Sequence, residues 1–142
     1  MDAWVEELPT GYALVLGVVA VPGAKSTPQA MQTANADGGL WESTKSGLII
    51  PNGGASFTLS VPEEVRDRMY IWDWGTGGLK YEIRVPECER TEDFVNDWLN
   101  FAGGLTVREP ECLPLVVSDG PEEERVMVGV GAPCPGQEPP PE

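Results

Sequence analysis

The chain has 142 residues, enough for one domain with a packed core and too few to expect two. Nine basic residues against 23 acidic ones leave a formal charge of −14, which repels phosphate backbones and anionic headgroups and excludes nucleic acid as a partner. The chain has no histidine, which removes imidazole bases, imidazole metal ligands and a histidine pH switch, while 17 Gly and 14 Pro favour short strands and turns over a helical bundle.

Residues 1–10 are polar, carry Pro9 and read as a linker. The apolar stretch ALVLGVVAV at 13–21 falls far short of the roughly 20 residues a membrane-spanning helix needs, so no membrane span is expected. Asp2, Glu6 and Glu7 precede it without any Lys or Arg, the wrong sign for an export signal, and 12–21 is read as a buried strand. Export would then rest on a targeting segment removed from this chain. KSTPQAMQTANADGG at 25–39 reads as a long loop, with a short helix within 28–34 as its alternative. LWESTKSGLIIPNGG offers one or two strands ending in a Pro51–Gly54 turn, and FTLSV places Phe57, Leu59 and Val61 on one face of the next strand.

Pro62 can open a helical turn from Glu63 to Asp67 before an extended segment at 69–74 and a glycine turn at 75–78. The strand at 80–85 alternates Tyr81, Ile83 and Val85 inward with Lys80, Glu82 and Arg84 outward. In TEDFVNDWLNFAGG, Phe94, Val95, Trp98, Leu99 and Ala102 fit helical spacing, with Thr91 as a cap and Gly103 and Gly104 as terminators, so a helix of about ten residues is preferred. The rival reading makes Trp98–Phe101 a strand. Leu113, Leu115 and Val117, then Val126, Val128 and Val130, flank a turn at Asp119, Gly120 and Pro121 and predict a hairpin over 112–131. PGQEPPPE, 135–142, reads as a Pro/Glu-rich tail.

This gives one domain over 11–134, a mainly β fold: an antiparallel β-sandwich or small barrel with at most one short helix.

A turn centred near residue 122 brings Cys112 beside residues 131–134, within bridging reach of Cys134. Cys88 ends the preceding strand and competes for either partner, so three pairings are open; Cys112–Cys134 is preferred and leaves Cys88 as a free thiol, and three reduced thiols buried as small hydrophobes are the remaining alternative. A disulfide requires an oxidising compartment and favours an extracellular or cell-surface location. The spacings of 24 and 22, without any CxxC, argue against zinc; no metal and no cofactor are expected.

NFAGGLTVREPECLPLVV followed by ERVMVGVGAPCPG, with GLIIPNGGASFTLSVPEE as a fainter upstream match, resembles the C-terminal part of uncharacterised extracytoplasmic domains in surface-anchored proteins of high-GC Gram-positive bacteria. The resemblance implies export and a β-rich fold. It brings no catalytic residue.

In YIWDWGTGG, strand alternation puts Tyr70, Trp72 and Trp74 on one face and Asp73 on the other; exposed, the row would stack on a sugar or grip a peptide, and buried it would pack the core. Glu63, Glu64, Asp67 and Asp73 are the best carboxylates for a glycosidase pair, which needs a separation of about 5–10 Å around a cleft. Ser43, Ser46, Ser56, Ser60 and Ser118 have no histidine to activate them and no GxSxG elbow. Glu87 and Glu89 beside Cys88 disfavour a reactive thiolate, the glycines at 75–78 lack the lysine of a phosphate loop, and PEEE at 121–124 has no calcium-loop spacing. The expectation is a monomeric, non-catalytic domain with a protein partner; a glycan-binding module is the second reading and a carboxylate hydrolase the third.

Overall fold

Period-two alternation of apolar residues, broken by Gly and Pro, cuts the chain into short strands that must pair with one another to satisfy their backbones. The computed structural model describes residues 3–5, 11–25, 31–34, 42–44, 46–51, 53–74, 79–87 and 98–137. In chain order its strands are β1 (Ala3–Val5), β2 (Ala13–Val15), β3 (Val19–Val21), β4 (Met31–Ala34), β5 (Glu42–Thr44), β6 (Leu48–Pro51), β7 (Phe57–Ser60), β8 (Met69–Asp73), β9 (Leu79–Lys80), β10 (Glu82–Val85), β11 (Trp98–Phe101), β12 (Gly103–Val107), β13 (Glu111–Ser118) and β14 (Glu123–Val130). The expected helical turn after Pro62 is present as one 3-10 turn, Glu63–Val65.

Pairing is antiparallel throughout and forms three open sheets, ordered β1-β11-β6-β3-β2, β10-β7-β13-β14 and β4-β5-β12-β8-β9. The fold is mainly β and sandwich-like, and among the described residues no sheet closes into a barrel. Two corners join one sheet to another. Trp98 lies opposite Pro51 and Thr106 opposite Ser43, eight positions further along both strands, so β5–β6 and β11–β12 form one ribbon in constant register that turns a corner between the first and third sheets. β9 and β10, separated only by Tyr81, likewise connect the third sheet to the second. One hydrophobic cluster fills the interior, with Leu48 and Ile50, Leu59, Ile71, Leu105, and Leu113 and Leu115 drawn from all three sheets.

The corner explains where the helix expectation goes. Trp98–Phe101 is strand β11, with Leu99 buried opposite Ile50; residues 91–97 lie outside the described residues. The adjacent apolar residues Trp98 and Leu99 fall on opposite faces of this strand. Gly103 and Gly104, expected as helix terminators, instead let backbones touch: a Cβ on Gly103 would lie 2.4 Å from the Trp72 carbonyl oxygen and the Trp74 nitrogen, and one on Gly104 2.3 Å from the Thr44 carbonyl oxygen. Met31–Ala34, the part of the alternative 28–34 helix that is described, is strand β4. Ala3–Val5, within the stretch read as a linker, pairs as edge strand β1 against β11.

Tyr81 also departs from its inward expectation. It sits in the bend between β9 and β10, exposed, with the Arg66 guanidinium 5.3 Å from its ring centroid. Pro114 is tolerated inside an eight-residue strand because it faces Met127 across a ladder position where β13 and β14 exchange no hydrogen bond, and β7 pairs with β13 only from Val116 onward.

Candidate functional site

The C-terminal hairpin forms in the expected place with a shifted register. Ser118 lies opposite Glu123 and Cys112 opposite Gly129, so Cys134 is not a strand neighbour of Cys112. The chain reverses after Val130 and returns Cys134 to Cys112, where the two form a disulfide with Cα atoms 4.9 Å apart. The Asp119 side chain shapes the hairpin turn by accepting the Glu122 N–H at 3.0 Å.

Beyond the disulfide, residues 134–137 form a small clasp. The Gln137 N–H donates to the Cys134 carbonyl, and the Gln137 side chain accepts the Cys134 N–H at 2.9 Å and donates to the Gly23 carbonyl at 2.7 Å. Gly23 also accepts the Gly129 N–H of β14 at 2.8 Å. One carbonyl after β3 thus ties the first sheet to the edge of the second.

A groove of about 480 Å³ opens beside this tie, between the edge strands β2 and β14 and against the clasp. Leu14 and Met127, both nearly half exposed, line it with Val126, Glu124, Arg125 and Gln137. A second concavity of about 400 Å³ lies over the ends of β7, β10 and β13, among Thr58, Arg84, Ser118 and Asp119. Alternation of Val126, Val128 and Val130 already put Met127 on the outer face. Leu14 was not legible as exposed, since it lies in a continuous apolar run.

The aromatic row of 70–74 is divided. Met69 and Ile71 face the core, and Tyr70 and Trp72 are half-buried on the opposite side of β8. Asp73 and Trp74 then both take positive φ, 62° and 50°, which turns Trp74 off that face and buries it. A left-handed conformation costs roughly 1–2 kcal/mol per residue. Burial of a large apolar side chain at about 1.5–3 kcal/mol offsets much of it, and the Trp74 indole N–H donates to the Ser46 carbonyl at 2.8 Å. The Trp72 indole N–H donates to the Thr44 carbonyl at 2.9 Å, and Asp73 has a partner of its own. The tryptophans hold the corner, and Trp74 offers no surface to a ligand.

Glu63, Glu64 and Asp67 are exposed around the 3-10 turn, and neither they nor Asp73 line either concavity. Glu64 pairs with Arg125 of β14 at 2.9 Å, and that hydrogen bond holds its carboxyl below the usual range. Cys88 lies outside the described residues. Among the described residues no helix is long and apolar enough to cross a membrane. No protein-family model, curated protein or solved structure matches the chain.

Proposed function

We propose that the chain is a non-catalytic extracytoplasmic domain that binds another protein. The observation that carries this reading is the Cys112–Cys134 disulfide, which fixes residues 134–137 beside a groove between two sheet edges that no strand of the described residues pairs with. A stabilising disulfide of this kind persists in oxidising compartments and is reduced in a typical cytosol. The excess of acidic residues keeps such a surface soluble and disfavours self-association while leaving attraction to basic partners. No histidine is available for the commonest acid–base chemistry, and the four candidate carboxylates are spread over solvated surface and the corner rather than gathered at a concavity.

The reading is tested in intact cells of the native host with a membrane-impermeant amine-reactive label. Labelling of the chain before lysis is the expected result. A chain that reacts only after lysis would place it inside the cell and end the proposal.

A further inference from the structure

Edge strands carry a row of backbone groups that bond whatever extended chain is offered, and proteins protect them by covering, shortening or charging them. β14 is the edge of the second sheet, and its backbone can be oriented from one contact. The Gly129 N–H points away from β13, because it donates to Gly23. The register with β13 is unbroken over 123–130, so with a period of two the backbone groups of Met127 and Arg125 point the same way, into the groove, and no strand of the described residues pairs with them. Gly23 therefore occupies the first rung of a ladder that no strand of the described residues continues.

The groove's side chains define what would continue it. Among the described residues three large hydrophobic side chains are exposed, and two of them, Leu14 and Met127, line this one groove. Glu122, Glu123 and Glu124 are exposed at its hairpin end, and Glu124 stands on the same side of β14 as Val126 and Val128, a carboxylate on the inward side of an edge. Arg125, the basic residue lining the groove, is already paired with Glu64. A second copy is a poor occupant, since each chain carries −14 and would bring its own glutamates to the same edge.

We propose that the groove between β2 and β14 takes an extended, basic segment of a partner protein, added as a strand to the β14 edge. The proposal rests on the reading of the chain as a protein-binding domain. The added strand exchanges backbone hydrogen bonds with Arg125 and Met127, covers Leu14 and Met127 with an apolar side chain, and sets Lys or Arg against Glu122–Glu124.

The test is amide hydrogen exchange, read by NMR on the oxidised full chain, with an alternating lysine–valine heptapeptide as probe. An alternating glutamate–valine heptapeptide is the control. Exchange at Arg125 and Met127 is expected to slow by about tenfold or more with the basic peptide only. Met127→Pro removes an outward N–H that β13 does not use, and is expected to abolish the effect. The pair Glu123→Lys and Glu124→Lys, both at exposed positions, is expected to reverse the preference between the two peptides even should the proline variant misfold. No protection, equal protection by both peptides, or protection that grows with concentration of the free chain overturns the proposal. Protection confined to another sheet edge also overturns it while leaving the protein-binding reading standing; that reading fails separately, in the cell-labelling experiment.

Discussion

Replacing Cys112 and Cys134 together by alanine removes the covalent tie between β13 and the returning chain. The two cysteines are 22 residues apart. Loop closure at that length lowers the entropy of the unfolded chain by about 11 cal/mol/K, worth about 3 kcal/mol at 25 °C. A domain of this size has an unfolding entropy of about 0.3 kcal/mol/K, so the loss corresponds to a fall in Tm of about 10 °C. The effect acts on the unfolded chain more than on the folded one, because the hairpin keeps its eight-pair register without the sulfurs. Urea unfolding of the two proteins should therefore show a lower midpoint together with a steeper slope, since the uncrosslinked unfolded chain exposes more surface. A stability loss below about 1 kcal/mol with an unchanged slope would refute this account of the clasp.

At the corner, Gly103→Ala places a methyl 2.4 Å from two backbone atoms at a φ of 149°, and should cost about 3 kcal/mol or more in denaturant titration. Thr44 is fully buried and its hydroxyl accepts the Leu105 N–H at 3.0 Å; Thr44→Val keeps the shape, orphans that N–H and should cost about 1–3 kcal/mol by the same measurement. The Tyr12 hydroxyl donates to the Gly47 carbonyl, and burial pushes its pKa up to about 12. The folded pKa lies above the unfolded value of 10, so this contribution to stability is complete below pH 10 and is lost as pH rises toward 12. Tyr12→Phe should flatten that part of the stability–pH curve, measured by urea unfolding at stepped pH.

Alternation carried the reading furthest where a strand has one buried face. Phe57, Leu59 and Val61 are buried as their spacing requires, and Leu113, Leu115 and Val117 define the hairpin that holds the disulfide. The disulfide pairing itself was legible although the register was not, because the four residues between Gly129 and Cys134 can absorb a slip of a few positions. Trp98–Phe101 is a strand where helical spacing was expected, because Trp98 and Leu99 lie on opposite faces, one half-buried and one buried, and two adjacent apolar residues fit a helical stripe as well as a strand. The break in the row at Trp74 rests on two consecutive left-handed residues, which no propensity assigns to tryptophan. The groove was the least legible feature of all. It arises from the meeting of two edges about 110 residues apart in sequence, and no local pattern reports which strands a sheet leaves unpaired.

The most direct measurement is a non-reducing peptide map of the protein taken from its native host, alkylated before lysis. The account predicts a peptide pair joined through Cys112 and Cys134. Recovery of both cysteines as alkylated thiols, or either of them joined to Cys88, would contradict it.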